Sequence, residues 1–245
     1  MRYIFTMLLE AMTMKEFQKN LERSRTALVP VGSVEEHGAH LPLGTDTIHA
    51  FEVCRAAGER TGAVVAPPVY YGVCRSTSQH PGTLGISGDT LRALIRDIGL
   101  ALYHQGLRNL IFLSGHAGGT HTAAMVEAGE QLLDRLPEVK VAALNILDLG
   151  ARGWEPLIET KGDSHAGELE TSVIMTLRPS WVKGTSPEEY PHFPKAILVR
   201  NKVGFWPGGV WGDPGKASPE KGAACLEAVT LALVELIRGL ESWKE

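Results

Sequence analysis

The chain has 245 residues, 44% hydrophobic and 21% charged, and 24 basic against 28 acidic side chains give a net charge of −4. This length suits one large domain or two small ones, and the acidic balance excludes nucleic-acid binding driven by phosphate neutralisation. Nothing approaches about 18 consecutive apolar residues, which excludes a membrane-spanning helix, and three scattered cysteines (Cys54, Cys74, Cys225) exclude a disulfide framework or an all-cysteine zinc site.

The opening segment, MRYIFTMLLEAMTMKEF, carries a basic residue at Arg2 and an early acid at Glu10, without a sustained apolar core or cleavage site. It does not read as a secretory signal, and the expected location is the cytoplasm. Thr13 and Glu16 have capping-box spacing ahead of Phe17 and Leu21. Residues 26–32 (TALVPVG) form a short β-branched run closed by turn residues, the pattern of a buried strand.

The densest polar segment follows directly, PVGSVEEHGAHLPLGTD at 30–46. Glu35 and His37 are two apart, so an extended backbone points both to one side. Gly38 and Gly44 let the chain turn back, which brings Asp46 toward them. A carboxylate, an imidazole and a second carboxylate suit Zn²⁺, Mn²⁺ or Fe²⁺. The bland alternative is a polar loop in which Asp46 caps the next helix.

That helix is expected over 47–60, followed by a strand at 62–67 (GAVVAP) and a loop containing His80. Ser87 or Asp89 then caps a helix whose Leu91, Leu94, Ile95, Ile98 and Leu102 recur three and four apart. Residues 109–114 (NLIFLS) are the next buried strand, and the glycine-rich turn SGHAGGTH at 114–121 leads into a helix over 120–136. The end of a strand is where open α/β sheets bind ligands, which favours His116 as a ligand over a histidine in a structural turn. The segment has no Walker lysine and does not fit G-x-G-x-x-G. His40 and His121 lie close enough in sequence to contact a substrate.

A strand at 139–145 (VKVAALN) precedes DSHAGELETS at 163–172, where His165 and Glu170 flank a helix start with Leu169, Val173, Ile174 and Leu177 as its apolar stripe. Acids at a helix start satisfy the dipole, which accounts for one glutamate but not for His165. Residues 178–216 form an irregular excursion rich in Pro, Gly and Trp (Trp181, Trp206, Trp211), expected to border a site or pack on a neighbouring subunit. Ser218-Pro219-Glu220 starts the last helix, expected to reach about residue 237.

Strands alternating with helices predict an α/β fold with a mainly parallel sheet covered on both faces, one domain over 1–245. Five candidate ligands, Glu35, His37, Asp46, His116 and Glu170, come from three separated segments. With Asp46 as a bridge, each of two cations receives three protein ligands and a shared water or hydroxide, an open catalytic arrangement able to attack a carbonyl carbon. Two-metal phosphoester hydrolysis would use similar ligands but needs cationic groups, and the loops offer only Arg75. A non-enzymatic metal-binding scaffold would saturate its cations instead.

Four blocks, PVGSVEEHGAHLPLGTD at 30–46, SGHAGG at 114–119, HAGELETS at 165–172 and GVWGDPGKAS at 209–218, together with HPGTLGIS at 80–87, resemble the creatininase family in order and across nearly the whole chain. The resemblance implies a three-layer α/β/α fold, two divalent metal ions (Zn, Mn or Fe), and hydrolysis of an amide-type C–N bond in a small molecule such as a cyclic amide or formamide. It implies Glu35, Asp46 and His116 on one metal, His37, Asp46 and a glutamate on the other, and His165 in proton transfer. In creatininase proper that glutamate stands two residues after the histidine of the glycine-rich loop; here the position is Gly118, and Glu170 of HAGELETS takes the part, as in other branches. Those branches include formylamino-pyrimidine deformylases and a peptidase that trims a modified peptide precursor. The family is commonly a homo-oligomer, often a hexamer.

Overall fold

Apolar side chains on both faces of short strands require a layer of helices on each side. In the computed structural model, which describes residues 7–244, four parallel strands form one sheet in the order β2-β1-β3-β4, with β1 at Thr26–Val31, β2 at Val64–Val65, β3 at Asn109–Ser114 and β4 at Lys140–Asn145. Residues 1–6, where the amino-terminal reading begins, lie outside the described part.

Ala27, Val29, Leu110 and Phe112 point into one core with α1 (Met14–Leu21), α3 (Gly88–His104) and α4 (Gly119–Leu133). Leu28, Ile111 and Leu113 alternate with them and point into a second core with α2 (Thr45–Thr61), α5 (Ile146–Trp154), α6 (Glu168–Leu177) and α8 (Pro219–Ser242). Truncating a side chain such as Phe112, fully buried between the layers, costs about 3–5 kcal/mol by the usual large-to-small scale. The result is the three-layer α/β/α arrangement.

Local signals account for the helix starts. Thr13 and Glu16 form the capping box of α1, Ser87 Oγ accepts from Thr90 N at 3.1 Å at α3, and Ser218 Oγ accepts from Lys221 N at 3.2 Å with Pro219 in the first turn of α8. The strand expected at 62–67 pairs only over Val64–Val65, because Pro67 and Pro68 have no N–H to donate. Helix α5 is not predicted by the sequence, because Gly150 and Gly153 lower the helix propensity of ILDLGARGW. The 178–216 excursion holds one short helix, α7 (Lys202–Phe205), and two 3₁₀ turns.

Register places the site. β1 and β3 pair from Thr26↔Asn109 to Val31↔Ser114, so both strands end side by side. The loop after β1 and the turn after β3 therefore leave the same edge of the sheet, at its carboxyl end.

Candidate metal centre

The loop from Ser33 to Gly44 folds back on itself, with Glu35 N donating to Leu43 O at 2.9 Å. Asp46 thereby enters in the first turn of α2, where the N-cap is Gly44 and Asp46 is not a cap. The turn after β3 crosses closely over this helix start. A side chain on Gly115 would collide with the Asp46 carbonyl oxygen, so only glycine permits the approach. Glu170 arrives from the first turn of α6, and helix starts favour carboxylates at both positions.

Asp46 divides its oxygens between two groups. Its Oδ1 lies 3.1 Å from His37 Nε2, which also faces Glu170 Oε2 at 3.6 Å. Its Oδ2 lies 3.3 Å from His116 Nδ1, which also faces Glu35 Oε2 at 2.8 Å. The five residues expected to meet are thus adjacent, and all are buried.

Hydrogen bonds fix which ring nitrogens face inward. His37 Nδ1 lies 3.0 Å from Glu35 O and His116 Nε2 lies 3.3 Å from Val73 O. A carbonyl only accepts, so those nitrogens carry the hydrogens. The opposite nitrogens are left facing carboxylate oxygens, an arrangement that needs positive charge between them. Donation of the outer N–H to a backbone carbonyl is the usual support of a metal-binding imidazole. The donor set therefore fits divalent cations.

Electrostatics agree. Burial opposes charge on His37, but Asp46 and Glu170 outweigh it and raise its pKa to about 10. His116 is likewise raised against burial, by Glu35 and Asp46. Glu35 falls to about 2 despite burial because of His116, and Asp46 is held low by His37 and His116. Glu170 is raised, burial exceeding the pull of His37 and His165.

His165 stacks beside His37 with ring centroids 4.2 Å apart. Its Nε2 donates to Glu36 O at 2.8 Å, so Nδ1 is the nitrogen free to gain or lose a proton. His37, His165 and Glu170 offer donor atoms within 4.8 Å of one another, and so do Glu35, Cys74 and His116. Cys74 carried no signal in the sequence, where no spacing links it to the other ligands. A cavity of about 230 Å³ opens on the cluster, lined among others by Ser76, His165, Trp206 and Trp211. Two tryptophans of the irregular excursion thus border the site.

His40 and His121, expected to contact substrate, are not among the residues that line this cavity. His40 bonds Ser186 Oγ and Thr171 Oγ1, each at 2.9 Å, and ties the first loop to the excursion and α6. His121 accepts from Val73 N at 3.1 Å and donates to Ser114 Oγ at 3.0 Å, holding the turn below His116. Burial, aided by the neighbouring His37 and His116 charges, lowers them to about 4 and about 3 respectively, so both rings are neutral braces. Glu168, beside Glu170 at the start of α6, is fully buried against Lys221 and accepts from Thr160 N at 2.8 Å.

The family model described as creatininase, creatinine amidohydrolase, matches residues 10–237. The chain belongs to the creatininase family. With it the chain belongs among metal-dependent amidohydrolases. A mycofactocin precursor peptide peptidase of Mycolicibacterium smegmatis is 36% identical over 160 residues, 62% of this chain and 58% of that one; the matched part thus spans under two thirds of that relative. A creatinine amidohydrolase of Pseudomonas putida is 28% identical over 254 residues, 93% of this chain and 94% of that one. A creatininase crystal structure superposes with a TM-score of 0.86 at 25% identity, covering 98% of this chain and 100% of that one. Other creatininase structures, 25% identical over 95% of this family member and 97% or 98% of their own chains, are a Mn form (TM-score 0.86), a Zn–Zn form (0.83) and a complex with creatine (0.85).

Proposed function

We propose that the protein hydrolyses an amide-type C–N bond in a small molecule, with one cation held by Glu35, Asp46 and His116 and a second by His37, Asp46 and Glu170. The observation that carries this reading is the division of the Asp46 oxygens, Oδ1 toward His37 and Oδ2 toward His116. Zinc, manganese and iron all suit the oxygen and nitrogen donors. Such cations supply Lewis acidity and a water activated for attack.

The chain's own groups do the rest. Ser33 and Thr77 donate to the Asp46 and Glu35 carboxylates and hold their orientation. Trp206 and Trp211 wall the cavity with apolar surface. The carbonyl of Glu36 fixes the His165 tautomer, leaving Nδ1 to hand a proton to the departing nitrogen. No lysine or arginine lines the cavity among the described residues, which disfavours a phosphoester substrate. The identity to a peptide peptidase supports a second substrate class, the end of a modified peptide precursor. The exposed Trp181, Ile197 and Leu198 of the excursion suit burial in a homo-oligomer, a hexamer in the family pattern. The three cysteines are free and buried, in keeping with a reducing cytoplasm.

The test is chelation followed by reloading with Zn²⁺, Mn²⁺ or Fe²⁺, and a hydrolysis screen of creatinine, cyclic amides, formamides, short peptides and phosphoesters. Cation-dependent turnover confined to amides or peptides is expected. Turnover of phosphoesters alone would contradict the reading, and so would a protein whose cations hold no exchangeable water.

A further inference from the structure

We propose that Cys74 is a fourth protein ligand of the cation held by Glu35, Asp46 and His116, which makes the two sites unequal. The inference rests on the two-cation reading. Cys74 is 3% exposed, and its Sγ shares a sphere with donor atoms of Glu35 and His116, all within 4.8 Å of one another. The thiol has a long contact of 3.8 Å to Gly72 O and also meets the Ser33 side chain, the same hydroxyl that bonds Asp46. The backbone that carries it is fixed by the site itself: Val73 O accepts from His116 Nε2, and Val73 N donates to His121 Nδ1. Cys74 is therefore held beside the imidazole it would join on the metal.

The chemical consequence follows from donor count and softness. Two carboxylates, an imidazole and a thiolate form a four-coordinate set, with no need of water to complete it. The site of His37, Asp46 and Glu170 keeps an open position beside His165. Sulfur also favours thiophilic ions such as Zn²⁺ or Cd²⁺ over Mn²⁺ at the first site, while the second stays permissive. On binding, the S–H bond breaks, the sulfur electron pair forms the bond to the cation, and the proton leaves to solvent.

X-ray absorption on the zinc-loaded wild-type protein reads the ligand directly. A sulfur scatterer at about 2.3 Å is expected, in a proportion of one for every two zinc ions. Cobalt loading is expected to give a near-ultraviolet sulfur-to-cobalt charge-transfer band in the wild type that is lost in Cys74→Ser and Cys74→Ala. The selectivity for Cd²⁺ over Mn²⁺ at the site of Glu35, Asp46 and His116 is expected to fall about tenfold or more in these variants. Should the variants fail to fold, the wild-type absorption measurement stands alone. Two bound zinc ions surrounded only by nitrogen and oxygen would overturn this inference while leaving the two-cation reading intact. A protein that binds no cation would overturn both.

Discussion

The hydroxyl of Ser33 donates to Asp46 Oδ2 at 2.6 Å. Ser33 is fully buried just past the end of β1, so this bond links the sheet edge to the carboxylate placed between two imidazoles. Removing a hydrogen bond that orients a metal ligand usually costs about 10–100-fold in affinity or activity. Ser33→Ala is expected to keep the fold and weaken Zn²⁺ or Mn²⁺ binding by about that factor. Titration calorimetry measures it, and wild-type affinity in the variant would show that Asp46 needs no such support.

His165 separates proton transfer from ligation. Because its Nε2 is committed to the Glu36 carbonyl, His165→Ala is expected to keep both cations and lower kcat about 10²–10⁴-fold, the range for losing a general acid. Metal analysis beside single-turnover kinetics distinguishes the roles. Loss of one cation equivalent would make His165 a ligand, a place its proximity to His37 and Glu170 also permits.

Gly115 supports the site by having no side chain. A Cβ there would meet the carbonyl oxygen of Asp46, part of a helix backbone that cannot swing aside. Gly115→Ala is expected to destabilise the protein by about 1–3 kcal/mol, the usual cost of overpacking, and to reduce cation stoichiometry by displacing Asp46. Unchanged melting temperature and metal content would show that the turn and α2 have room to separate.

The short apolar runs make β1 and β3 legible, because strands buried on both faces leave no polar alternation to confuse, and β4, a half-buried edge strand, is legible from its β-branched and apolar run alone. Strand β2 is shorter than its apolar run predicts because tandem prolines end its pairing, and α5 has no legible signature because glycines weaken its local signal. In the site, Glu35, His37, Asp46, His116 and Glu170 were legible since each sits in a dense polar segment beside a strand end or helix start. His40 and His121 looked equivalent in sequence, but partners such as Ser186 and Thr171, 146 and 131 residues from His40, turn it away from the cavity. Cys74 reaches the cluster only through the packing of Val73 between His116 and His121, and no local spacing encodes that.

Metal removal should expose a pH dependence. In the chelated protein His37 titrates near 10 instead of 6.5, burial being outweighed by Asp46 and Glu170. A raised pKa stabilises the folded state fully below the unfolded value, and the contribution is lost as pH rises through the folded one. Glu35, lowered from 4.5 to about 2 by His116 against burial, stabilises above 4.5 and loses this as pH falls through about 2. The chelated protein is expected to melt at progressively lower temperature from pH 7 to 10, while bound cations, replacing the imidazole protons, remove most of that slope. Scanning fluorimetry with and without chelator measures it. A chelated protein equally stable at both ends of the range would show that the His37 proton contributes nothing to the fold.

The sharing of Asp46 is tested most directly by anomalous diffraction from crystals soaked in Zn²⁺ or Mn²⁺. Two peaks are expected, one on each side of the Asp46 carboxylate, with His116 and Glu35 against the first and His37 and Glu170 against the second. A single peak, or two peaks of which neither touches Asp46, would contradict the dinuclear centre and the amide hydrolysis built on it.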